Sequence, residues 1–164
     1  MFFSHLIPVD EVLHQVQAFR RDYFQVHPVV GVHIRHGNGG DIIHYGKYWC
    51  DPQQALKGCE GKIQEALRQL GPSAVIFLST DSVEVEQFIV GRFPDVIVQK
   101  KTLRMAGEGE RHYGGLGIQV GKDALIDMLL LSYSSVLIRF PPNSLFSFYA
   151  QLFQGVPKPH LEIS

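Results

Sequence analysis

Pro28-Val29-Val30-Gly31-Val32-His33-Ile34-Arg35, followed by His36-Gly37-Asn38-Gly39-Gly40, decides how this chain folds. The first eight residues are a β-branched run of strand length. Such a run, apolar at nearly every position, is what a strand buried on both faces looks like. The change from this run to a loop rich in Gly and His is abrupt, so the polar residues stand at the strand's carboxyl end. On a strand, residues two apart share a face, which puts His33 and Arg35 on one side. An Arg fork matches phosphate oxygens in a bidentate way. The glycines that follow can turn backbone N–H groups toward an anion. The loop is neither a Walker A motif nor a G-x-G-x-x-G turn, so by itself it indicates an anion site or a solvated surface loop.

Working outward, strands and helices alternate. Asp10 to Tyr23 carries Val12, Leu13, Val16 and Phe19 at helical spacing, with Asp10 as the expected N-cap. Residues 36–50 read as a loop. Asp51-Pro52 then opens a helix that runs to about Leu70 and stops at Gly71-Pro72. Ala74 to Ser79 reads as a second strand. Thr80-Asp81-Ser82 caps a helix carrying Val83, Val85, Phe88 and Ile89, with Glu84 expected to complete a capping box. Val96-Ile97-Val98 is a third strand, and residues 99–117 a polar, Gly-rich loop. Asp123 is expected to start an apolar helix ending near Ser132. Val136 to Phe140 is a further strand, and Pro141-Pro142-Asn143-Ser144 leads into a last helix through Phe148, Tyr149 and Leu152. This order predicts a single α/β domain over residues 1–164, a Rossmann-like three-layer fold with a mainly parallel sheet. Ligands of such folds sit at the carboxyl ends of the strands. Three polar stretches occupy that rim: 35–41, 79–82 and 141–144.

Composition narrows the function classes. The 164 residues are 45% hydrophobic with a net charge of −1, ordinary for a globular domain and unlike a basic, sequence-independent nucleic-acid binder. No apolar run is long enough to span a bilayer. The start lacks the basic region of a signal peptide. Cys50 and Cys59 are too few for a disulfide framework, and the expectation is a cytoplasmic protein with free thiols. His33, His36 and His44 fit no compact metal motif, so no metal site is expected.

Two further features carry chemistry. Asp127 stands in an otherwise apolar run from Ala124 to Leu131, where a carboxylate is costly unless paired. It could accept from N1–H and the exocyclic amine of guanine, a donor pair that guanine alone offers among the common bases. An internal Arg or His partner, or a place on the wet edge of the helix, would explain it somewhat better on the residues alone. Asn143 and Ser144 precede a helix, where they serve as caps, and free amides at that end attract phosphate.

Gly31 to Gly39, Ser79-Thr80-Asp81-Ser82, and Asp123 to Met128 with Ile138-Arg139-Phe140-Pro141-Pro142-Asn143-Ser144 together resemble the three motifs of the α1,6-fucosyltransferases, glycosyltransferase family 23. The likeness is strongest to its rhizobial nodulation branch and runs from about Val29 to Phe153. It implies the donor-binding C-terminal half of a GT-B fold that takes GDP-fucose without a metal. It further implies an N-terminal acceptor domain that these residues do not include. Carried over, His33 and Asp127 contact guanine, Arg35 holds the β-phosphate, and Ser144 reaches the diphosphate. His36, Asn38, Thr80, Asp81 and Asn143 join the donor site, with His36 where eukaryotic relatives have a second Arg. The implied reaction is inverting transfer of fucose to the 6-hydroxyl of N-acetylglucosamine in a chitin oligosaccharide. The catalytic Glu of eukaryotic relatives falls on Ile43 here. Gly40-Asp41 replaces the acidic pair of the bacterial members, leaving Asp41 as the candidate base. The alternative is a GDP-sugar-binding module without activity. A hydrolase or dehydrogenase domain ranks last, lacking both a nucleophile elbow and a dinucleotide fingerprint.

Overall fold

A computed structural model describes residues 8–35, 52–101, 117–140, 142, 144–153 and 160–162. Five strands are described: β1 (Val29–Ile34), β2 (Val75–Thr80), β3 (Val96–Val98), β4 (Val136–Phe140) and β5 (His160–Glu162). They form one sheet in the order β3-β2-β1-β4-β5, and every adjacent pair is parallel. The helices are α1 (Asp10–Tyr23), α2 (Pro52–Leu70), α3 (Val83–Arg92), α4 (Gly117–Ser132) and α5 (Leu145–Phe153).

The β-branched run is central because all six residues of β1 are buried. Alternate residues serve different layers. Val30, Val32 and Ile34 join Ile76, Leu78, Ile138 and Phe140 under α2 and α3, through Cys59, Ile63, Ala66, Val85 and Ile89. Val29 faces the other way with Phe77 and Leu137, under α1, α4 and α5, through Val12, Val16, Ile126, Leu130 and Ala150. Each fully buried Val, Leu, Ile or Phe side chain among them contributes roughly 1.5–3 kcal/mol. Gly31 lies in the second layer: a Cβ there would come within 2.7 Å of the Ser134 side chain, which follows α4. The three-layer parallel α/β fold expected from the sequence is the one found.

Direction along the sheet matters for function. From β1 the chain steps outward to β2 and β3, then returns through α4 to β4 on the far side of β1. The strand order therefore reverses between β1 and β4, and such a switch point opens a crevice beyond the carboxyl ends of the two strands.

Several boundaries differ from expectation. Asp10 does not cap α1: Val9 is the N-cap, with no side-chain cap bond, and Asp10 is the first helical residue, where its charge still favours the positive end of the helix dipole. In α3 the cap is Ser82, whose Oγ accepts from Val85 N–H (3.4 Å). Glu84 instead accepts from Ser82 Oγ (2.6 Å), so the anticipated capping box is replaced by a side-chain pair. α4 begins at Gly117, six residues before Asp123. Glycines 117 and 121 hid this turn, and Gln119 supports it by donating to Asp123 Oδ1 at i,i+4 (2.8 Å). β5 was not anticipated. α2 does end at Gly71, whose φ of +91° suits glycine and whose N–H donates to Leu67 O. The expected cap Asp51 and the thiol Cys50 lie outside the described residues. The Cys59 side chain is buried.

Candidate functional site

The site grows from one row of the sheet. In register, Ser79 of β2, His33 of β1 and Arg139 of β4 lie side by side. Alternation sends this row toward α4 and α5, away from the α2–α3 core. All three are buried, where polar side chains are rare unless satisfied or functional.

His33 is 5% exposed, and its ring stacks on Phe146 of α5 with centroids 4.8 Å apart and planes at 25°. That contact brings the N-terminus of α5, at Ser144, beside the end of β1. Nδ1 of His33 is buried without a hydrogen-bond partner among the described residues. Burial first, then the positive charges of Lys101 and Arg35, push its pKa from 6.5 down to about 3, so the imidazole is neutral at physiological pH.

Arg35 follows β1 directly. Its backbone N–H donates to Phe140 O (2.8 Å), which extends the β1–β4 ladder by one bond and fixes the residue at the mouth of the switch point. The residue is half-buried, and its Nε has no partner among the described residues. A guanidinium held in this way has donors left over for an anion.

Asp127 of α4 is 1% exposed. Its Oδ2 accepts from Ser79 Oγ (2.7 Å) and pairs with the Lys101 ammonium. With the Gln99 amide turned to satisfy both of its neighbours, Nε2 donates to Asp127 Oδ1 (2.5 Å) and to Asp123 O (3.2 Å). The internal partner weighed from the sequence is thus neither Arg nor His but a lysine, a serine and an amide. Burial pushes the Asp127 carboxyl above its ordinary value of 3.8, against the opposing pull of Lys101 and Ser79. Lys101 also acts electrostatically on His33, so the carboxylate, the ammonium and the imidazole form one buried group.

The other candidates divide. Ser144 is buried ahead of α5, and its carbonyl accepts from Phe148 N–H and Ser147 Oγ (both 3.2 Å). Thr80 pairs with Ile34, so its side chain faces the α2–α3 layer, away from His33, and accepts from Ser82 N–H (3.2 Å). Asp81 is half-exposed just past β2. His36, Asn38, Asp41 and Asn143 lie outside the described residues. Among the described residues no group of three or more His, Cys, Asp or Glu could hold a metal. None of the described helices is long and apolar enough to cross a membrane. Sequence reading missed Gln99, Lys101 and Phe146. The first two stand in what looked like a plain loop, and Phe146 looked like any apolar residue of a helix.

Comparison with known proteins decides the family. The family model described as Nodulation protein Z (NodZ) matches residues 1–158. The chain belongs to the NodZ family. It is 40% identical over 152 residues to Nodulation protein Z of Azorhizobium caulinodans, covering 92% of this chain and 46% of that protein. Two solved structures are similar at 31% identity and a TM-score of 0.72, and each is covered over 95% of this chain. One is a NodZ α-1,6-fucosyltransferase co-crystallised with GDP, of which 44% is matched. The other is a NodZ α-1,6-fucosyltransferase soaked with GDP-fucose, of which 45% is matched. The chain spans under half the length of the NodZ relatives it matches.

Proposed function

We propose that this chain is the donor-binding part of a NodZ-type fucosyltransferase, holding GDP-fucose at the switch point between β1 and β4. The observation that carries the proposal is Arg35: a partly free guanidinium held at the carboxyl end of the central strand, in a family with members solved with GDP and GDP-fucose. In this reading Arg35 grips the β-phosphate, and the N-terminus of α5 at Ser144 faces the diphosphate with its helix dipole. Charge grows on the β-phosphate as the bond from fucose to oxygen breaks. A fixed cation and a fixed dipole stabilise that charge more in the transition state than in the ground state, without a metal.

The base is read by the buried group behind the row. Neutral His33 and the Asp127 carboxylate contact guanine, whose N1–H and amine would take up the carboxylate lone pairs now shared with Lys101. Asp41 takes the acceptor proton as general base, and His36, Asn38, Asp81 and Asn143 complete the donor site, whereas Thr80, turned to the α2–α3 layer, does not join it. The acceptor is the 6-hydroxyl of N-acetylglucosamine in a chitin oligosaccharide, and the reaction inverts configuration. An N-terminal domain supplies the rest of the acceptor site in the cytoplasmic enzyme.

A second reading is a GDP-sugar-binding module without turnover. It is favoured by Gly40-Asp41, which stands where the resemblance expects an acidic pair. Incubating this chain with GDP-fucose and a chitin oligosaccharide separates the two. Fucosylated product supports the enzyme. GDP binding without product supports the module. Absence of any GDP binding refutes both.

A further inference from the structure

Lys101 is the one cation placed directly on the buried Asp127 carboxylate among the described residues. Its own side chain is only 13% exposed, so the pair sits largely out of water. We propose that Lys101 is a positioning and specificity-determining residue for the nucleotide base: its ammonium keeps Asp127 an acceptor-only carboxylate. The proposal rests on the reading that Asp127 faces guanine.

Donor and acceptor patterns distinguish the two purines. An ionised carboxylate only accepts, which matches the two donors of guanine. A protonated carboxyl donates from one oxygen and accepts at the other. That pattern matches adenine instead, with its acceptor N1 and donor amine. The protonation state of Asp127 therefore sets which purine the site prefers. The neighbours of Asp127 on each packed element act on that state. From its own helix Asp123 opposes ionisation of Asp127. From β2 the Ser79 hydroxyl favours it. From β1 His33 stays neutral, and Arg35 stands at the strand's end. From β4 Arg139 lies one strand beyond His33. From α1, Glu11 is paired with Lys122 of α4 (2.5 Å). The described part of α5 has no carboxylate or cation. Burial disfavours the carboxylate, and Lys101 is the charge in contact that opposes this. Ser79 and Gln99 hold the two oxygens in place, but neither brings a positive charge.

Lys101→Met and Lys101→Gln remove the charge, the second keeping a polar chain in case the first does not fold. Calorimetry with GDP and ADP between pH 6 and 9 reads the preference as a ratio, in which titration of the phosphates cancels. The native protein should prefer GDP with a ratio that is flat across this range. In both variants the ratio should fall as pH is lowered, approaching about tenfold per pH unit once Asp127 protonates. It should recover as pH rises, and Lys101→Arg should restore the flat profile. A GDP preference in Lys101→Gln as flat and as large as in the native protein overturns the role of Lys101 while leaving the guanine reading intact. No GDP preference in the native protein overturns the guanine reading itself, and this proposal with it.

Discussion

At the scale of single residues, two side chains behave unlike their free forms. His33 titrates near 3 in the folded chain and near 6.5 when exposed. Below pH 6.5 the unfolded chain binds a proton that the folded chain refuses, so acid favours unfolding. The loss grows as pH falls toward 3, at up to about 1.4 kcal/mol per pH unit from this one group. Denaturant titrations of the native protein and His33→Phe across that window should show a shallower acid slope in the variant; equal slopes would mean that His33 is hydrated. Arg35 is the second case. Its substitution by Ala leaves every described backbone hydrogen bond in place, so circular dichroism should not change. GDP affinity should fall at least tenfold, in line with about 1.5–3 kcal/mol for a charge-assisted hydrogen bond. An unchanged dissociation constant would remove Arg35 from the site.

At the scale of elements, close packing and capping leave local signatures. Gly31 lets β1 approach the turn after α4, since a methyl there would meet Ser134 Cβ and Oγ at 2.7 Å. Gly31→Ala should therefore destabilise the domain by about 1–3 kcal/mol, seen as a lower melting temperature. Pairing it with Ser134→Gly should recover part of the loss. β1, β2, β3 and β4 were legible from their apolar, β-branched runs to within a residue or two, and α1, α2 and α3 from spacing and punctuation. What stayed hidden has physical causes. The first turn of α4 carries two glycines, which signal loop. Within Thr80-Asp81-Ser82 the cap of α3 is Ser82, because its Oγ reaches Val85 N–H, a choice among three adjacent capping residues that local pattern does not make. In the site, Arg35 and His33 were visible from alternation along one strand. Lys101 and Gln99 were not, because their partner Asp127 is distant in sequence and only the docking of α4 beside β2 and β3 brings them together.

At the scale of the whole molecule, the strand order reverses between β1 and β4, the place where parallel α/β folds open a crevice, and the polar row crosses those two strands. Both layers of core are needed to hold the row flat: α2 and α3 press it from one side, and α1, α4 and α5 from the other. The absence of a metal in the proposed chemistry has its own test. Chelation with EDTA should leave GDP affinity within experimental error, whereas a large loss would require a metal bridge to the diphosphate. The most direct test of the central claim, a guanosine diphosphate grip at the β1–β4 switch point, is calorimetric titration of this chain with GDP, UDP and GMP under one set of conditions. The account predicts clear preference for GDP, with UDP lacking the base contacts and GMP lacking the β-phosphate that Arg35 holds. Equal affinity for GDP and UDP, or for GDP and GMP, would contradict it.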